Sequence, residues 1–189
     1  VTDGNRIDNR GVITVSGDGA SGIYFSGDGN PADSSSRNVI NNYGLLNVTC
    51  QWDAYGIVFD DGSFSNGNVI NNLGAINVQG DYALGFYFDT DGGSANHNLI
   101  TNRGTITVLG TGTSSYATGF LFESHDGPVL GNVINNHGTI RVASSGNAQG
   151  FYFESQGSPI AGNIINNHGR LIVTGPRAAG VYFDGDDGG

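Results

Sequence analysis

One tetrad, Asn-Asn-x-Gly, returns along the chain and constrains it more than any other feature. It reads Asn41-Asn42-Tyr43-Gly44, Asn71-Asn72-Leu73-Gly74, Asn135-Asn136-His137-Gly138 and Asn166-Asn167-His168-Gly169. Asp8-Asn9-Arg10-Gly11 and Thr101-Asn102-Arg103-Gly104 are variants of it. The six glycines lie 33, 30, 30, 34 and 31 residues apart. A fixed period of this length marks a solenoid, in which each unit buries its apolar face only against its neighbours. Residues 1–189 therefore read as one segment of six repeats.

Each repeat holds three apolar pieces. The first is Asn-x-Ile, as in Asn68 to Ile70. The second alternates, with Ile13/Val15, Leu46/Val48, Ile76/Val78, Ile106/Val108, Ile140/Val142 and Leu171/Val173 on one side. Strict alternation means a strand with one buried face. The third is Ala-x-Gly followed by two apolar residues and Phe, as in Ala148-Gln149-Gly150-Phe151-Tyr152-Phe153. No helical period occurs, and such short strands have no stability as hairpins. The expectation is all-β: a right-handed parallel β-helix of six coils, about 30–34 residues each, with three short strands per coil.

Equivalent positions then stack into columns about 4.8 Å apart. Phe25, Phe59, Phe88, Phe122, Phe153 and Phe183 form an inward column, and Asn9, Asn42, Asn72, Asn102, Asn136 and Asn167 an amide ladder. Asn5, Asn38, Asn68, Asn98, Asn132 and Asn163 form a second ladder. The glycine after each Asn pair is expected to take positive φ at a corner. Two spacings are longer than the rest, so Ser26 to Arg37 and Leu109 to Tyr116 are expected to protrude.

Composition narrows the function classes. Glycine supplies 33 residues, but without a three-residue period, and hydrophobic residues reach 37%. Collagen and disorder are thereby excluded. Seven Arg and no Lys face seventeen acids, for a net charge of −10. Such a surface repels nucleic acid and anionic lipid. No apolar run suggests membrane insertion. Cys50 is alone, which excludes an internal disulfide and a cysteine zinc site.

The recurring Ile-x-Asn-x-Gly-x-Ile-x-Val, for example Ile134 to Val142, followed by Gly-φ-x-Phe, resembles the passenger domains of bacterial autotransporters. The resemblance covers all six units. It implies a pectate-lyase-like right-handed β-helix carried to the bacterial outer surface by a C-terminal barrel. The chain shows no barrel, leader or cap, so it is expected to be an excised part of a longer protein, uncapped at both ends. No catalytic residues of the wider fold family match.

Three sets of residues are candidates for function. Asp60, Asp89, Glu123, Glu154 and Asp184 follow the Phe column as an acidic column, with Asp28, Asp61, Asp91, Asp126, Asp186 and Asp187 beyond it. Stacked like charges repel by about 1 kcal/mol per pair in a water-like medium. Solvent and salt, raised pKa values or a cation must relieve that. Calcium, which takes six to eight oxygens, makes Asp60, Asp89, Asp91, Glu123 and Asp126 candidate metal ligands. No other cofactor is implied. The second set is an outward column with Tyr24, Tyr87, Tyr152 and Tyr182, which with Trp52 offers rings to a ligand; the alternatives are packing under a loop for the tyrosines and a cap over the core for Trp52. The third is the carboxylate pairs Asp60/Asp61, Asp89/Asp91 and Glu123/Asp126, with His125, which suit glycoside hydrolysis. A catalytic centre breaks a repeat, whereas these acids are copied by it, so no catalytic residue is assigned.

The leading expectation is an extracellular stalk or adhesin without catalysis, recognising a glycan or protein on a host or neighbouring cell. The alternatives are a polysaccharide-active enzyme or tailspike-like depolymerase, and a fibre subunit that self-associates end to end.

Overall fold

In the computed structural model, residues 2–26, 34–60 and 64–186 are described. They form a right-handed parallel β-solenoid, and no helix occurs among them. One face stacks Arg6–Asn9, Val39–Asn42, Val69–Asn72, Leu99–Asn102, Val133–Asn136 and Ile164–Asn167, each strand parallel to the next. The second and third faces share one continuous sheet that bends through a corner. Its register pairs Ile76 with Ile106, Val78 with Val108 and Phe88 with Phe122, so the sequence columns are columns in space.

Two details differ from the expected three short strands. In the first two coils the second and third strands run together, as Val12–Ser26 and Leu45–Asp60. Backbone pairing continues there through the corner, with one irregularity between Gly17 and Gly19. A short fourth contact also precedes the first face, where Val129–Leu130 pairs with Ile160–Ala161 and Ser34, Phe64 and Ser94 bridge in turn. Ala95 and Val129 are buried there and close that side of the core.

The interior is a set of like-on-like stacks. Phe59, Phe88, Phe122 and Phe153 are wholly buried, and the neighbouring rings of the column lie 4.5–5.0 Å apart, tilted by at most 14°. Each buried ring contributes about 1.5–3 kcal/mol of gross transfer energy. Strand spacing fixes this offset stacking; the rings have no freedom to turn edge-on.

The amides flank the first face. Asn9, Asn42, Asn72 and Asn102 each donate Nδ2–H to Oδ1 of the next coil's Asn at 2.8 Å, and Asn136 does so to Asn167 at 2.7 Å. In the second ladder each Oδ1 from Asn38 to Asn163 accepts twice. Asn98 Oδ1, for example, takes the backbone N–H of Asn68 at 2.9 Å and its Nδ2–H at 3.0 Å. Buried polar groups are tolerable when satisfied, and stacking an amide on its own copy satisfies both its ends.

The glycine after the Asn pair is required for a different reason from the one expected. Positive φ falls one residue before the second ladder, at Gly4, Arg37, Gly67, His97, Gly131 and Gly162. Gly44, Gly74 and Gly104 are absent from the left-handed region; instead a Cβ on Gly104 would lie 1.9 Å from the Gly74 carbonyl oxygen. The coils approach too closely at that corner for any side chain.

Two outcomes follow. Asn102→Ala strands two amide contacts inside the ladder and lowers stability by about 2–4 kcal/mol in urea denaturation, whereas Asn71→Ala, on the half-buried outer side, costs under about 1 kcal/mol. His97 holds φ of 56°, a strain of ~1–2 kcal/mol for a side-chain-bearing residue. Part of that gain is offset by glycine's unfolded-state entropy, so His97→Gly raises the denaturation midpoint slightly.

Candidate functional site

The third face is built by Tyr82–Asp91, Tyr116–His125, Asn147–Gln156 and Arg177–Asp186, together with the later halves of the two long strands. Each of these strands enters through an Ala, buried in all but the last (Ala178), and then a Gly. A Cβ on Gly85 would meet the Gly119 carbonyl oxygen at 2.5 Å and Val108 Cγ2 at 3.1 Å. Glycine is thus fixed by the close packing of the second face beneath it. Alternation slips at this point: Ala83 and Phe86 face in, while Leu84, Tyr87 and Asp89 belong to the outer side.

Four lanes run along the outside. The first is Asp53, Tyr82, Tyr116, Asn147 and Arg177; the second is Tyr55, Leu84, Thr118, Gln149 and Ala179. The third holds Tyr24, Val58, Tyr87, Leu121, Tyr152 and Tyr182, and the fourth Asp60, Asp89, Glu123, Glu154 and Asp184. Leu84, Leu121 and Tyr152 are buried against Tyr55, Tyr82 and Tyr87, which makes a small second core outside the barrel. Tyr82 stacks on Tyr116 at 5.2 Å and Tyr55 on Tyr87 at 5.8 Å.

The expected tyrosine stripe is therefore only partly open. Tyr24 and Tyr182, on the first and last coils of the stack, are 49% and 42% exposed, as is the inward Phe183 at 52%; between them Tyr87 is half-buried and Tyr152 is buried. Neighbouring rings and Leu121, rather than a loop, cover the middle. Trp52 is 53% exposed, so it does not cap the core. Of the expected protruding segments, Leu109 and Gly110 still belong to the strand Thr105–Gly110 and 111–115 forms the loop, with Ser115 buried; of the other, Ser26 and Ser34–Arg37 lie among the described residues. His137 and His168 stack at 5.3 Å on an exposed corner.

The acidic column meets the tyrosines. Tyr87 Oη lies 2.8 Å from Asp89 Oδ2 and 2.9 Å from Glu123 Oε2, so one phenol bridges carboxylates on adjacent coils. Tyr24 donates to Asp60, and Tyr152 and Tyr182 donate to Asp184 Oδ2 at 3.4 and 3.3 Å. Phenol protons thus supply part of the relief that stacked carboxylates require. The pairing is legible in Tyr87/Asp89, Tyr152/Glu154 and Tyr182/Asp184, two residues apart on one face.

Asp126 stands apart, exposed in a left-handed turn with φ of 61°. Asp91 enters through its backbone, which pairs with His125. Asp28, Asp61 and Asp187 lie outside the described residues. Among the described residues no three His, Cys, Asp or Glu side chains are grouped to hold a metal ion. No described helix is long and apolar enough to cross a membrane.

Burial and the neighbouring carboxylates keep the phenols protonated. Burial lifts Tyr55 to about 12 and raises Tyr82, Tyr87 and Tyr152 further, with Asp89 and Glu123 adding to the effect at Tyr87.

At coils five and six the first two lanes lose their rings, and Asn147, Gln149, Ala178 and Ala179 line an open groove of about 440 Å³. Tyr116, Tyr152, Tyr182, Arg177 and Asp184 complete its lining. Gln149 Oε1 accepts from Tyr116 at 2.6 Å and from Thr118 at 3.1 Å, which aligns the amide.

Residues 2–119 match the family described as the BigA third pectate lyase-like domain. The chain belongs to this family. Neither curated proteins nor solved structures gave a match. Membership agrees with the coil described above, and the family's fold serves both enzymes and structural proteins.

A phenol whose folded pKa is raised stabilises the fold fully below its unfolded value of ~10, and that contribution is lost as pH rises through the folded values. Unfolding free energy is thus expected to fall between about pH 10 and pH 12 as tyrosinate absorbance appears. Tyr87→Phe removes a hydrogen bond to charged groups, lowers stability by about 1.5–3 kcal/mol near neutrality and flattens that alkaline loss.

Proposed function

We propose that this chain is a rigid rod segment on the outside of a bacterial cell, of stalk or adhesin type, which binds a surface glycan without cleaving it. The observation that carries this reading is the groove over coils five and six. Rings of Tyr152 and Tyr182, 5.1 Å apart, border it beside the Asn147 and Gln149 amides, Arg177 and Asp184. The C–H faces of a pyranose pack on aromatic rings, and its hydroxyls pair with amide, guanidinium and carboxylate groups. Aromatic rings set beside several convergent polar groups give such a site both contact area and orientation. The motif's likeness to autotransporter passengers supports the outer-surface setting. The copying of the acidic column through the repeats supports binding rather than catalysis.

A glycan panel tests this. Retention is expected for a subset of glycans, reduced about tenfold (~1.4 kcal/mol) by Tyr182→Ala or Arg177→Ala, with the melting transition preserved because both residues are exposed. Release of reducing ends from a retained glycan, abolished by Asp89→Asn or Glu123→Gln, would replace the reading with a polysaccharide-active enzyme.

A further inference from the structure

A second concavity lies at the corner between the second and third faces, on the other side of Tyr116 from the groove and spanning coils two to four. Trp52 and Asp53 contribute from the second coil, Asp81 and Tyr82 from the third, and Ser114 and Tyr116 from the fourth. The longer spacing after Val108 creates one wall, since Ser114 belongs to that extra loop. The volume is about 140 Å³, well below the ~300–1,000 Å³ of pockets that engulf a whole ligand. It suits one head group.

The lining has a definite chemistry. Three aromatic rings and two carboxylates face a space to which no Arg contributes, in a chain of net charge −10. Asp81 Oδ1 is buried and accepts no hydrogen bond among the described residues. It rests against the backbone of Gly112, where a Cβ would come within 1.7 Å of it. A buried carboxylate oxygen without a donor is costly, and a cation nearby offsets that cost. A metal ion is a poor match, because rings supply no oxygen ligands and calcium takes six to eight. Aromatic walls with acids instead favour a diffuse organic cation, held through ring faces and long-range attraction. Tyr82 and Tyr116 are held phenolic by burial, so the rings add no competing charge.

We propose that this corner pocket binds an alkylammonium head group, as found on choline-type head groups and lysine side chains. Trp52, the one tryptophan in the chain, sits in the wall and reports binding directly. The test is a Trp52 emission titration of the whole chain at constant ionic strength. Its arms are tetramethylammonium, choline, Nα-acetyl-lysine amide and the uncharged tert-butyl analogue of choline. A saturable change is expected with tetramethylammonium and with either choline or the lysine amide, the stronger of the two naming the source. None is expected with the uncharged analogue. Asp81→Asn weakens binding about tenfold or more. If that variant does not fold, Asp53→Asn, at an exposed position, must weaken it several-fold. Equal response to the uncharged analogue, no saturable response to any cation, or parent-like binding by the folded carboxamide variant would overturn the proposal. Glycan retention at the groove is read on separate variants, so either site can fail without the other.

Discussion

Parallel pairing in register forces every side chain to live beside its own counterpart one coil away. That constraint governs which residue types the molecule tolerates. Aliphatic and Phe side chains accept it easily, because like surfaces pack at strand spacing. Asparagine accepts it because an amide is both donor and acceptor, and a buried column of Asn9, Asn42, Asn72, Asn102, Asn136 and Asn167 closes its own hydrogen bonds. Glycine marks the corners where even a Cβ is excluded by a neighbouring coil's carbonyl.

Carboxylates are the residues for which self-stacking fails, and the third face shows the remedy. Asp89 and Glu123 share the Tyr87 phenol, while Asp184 accepts from two tyrosines. The tyrosines are in turn held by an outer apolar cluster around Leu84 and Leu121. Acid, phenol and apolar lanes therefore depend on one another. Where the first two lanes lose their rings at Asn147, Gln149 and Ala179, the same face opens into a groove; where an extra loop crosses the corner, it closes around Asp81. Departures from the repeat make the concavities, and the repeat itself makes the rod.

The family match, the coil and the groove bear on function at different levels. Membership in a pectate lyase-like family establishes the scaffold, and scaffolds of this kind host many activities. The functional proposals rest instead on particular side chains. Ring pairs with amides and a guanidinium favour hydroxyl-rich ligands, whereas rings with unpaired acid favour cations. The two concavities are lined by different chemistry although they share Tyr116.

The sequence by itself determined the solenoid. A period near 30 residues, alternation at Ile76/Val78 and an unbroken Phe column leave one way to bury the apolar side, and the register agrees pair by pair. Both amide ladders were legible for the same reason: periodicity specifies which residues are neighbours between coils. What lies across a lane, or around a corner, is not periodic. The contact of Tyr87 with Glu123, the burial of Tyr152 and the position of Asp81 under Gly112 depend on how lanes lean on one another and where a loop crosses. The left-handed residue is not the repeated glycine but the residue before the second ladder, a position held even by Arg37 and His97. Repetition fixes the stacking direction; only tertiary packing decides the transverse contacts, and the candidate sites are made of those.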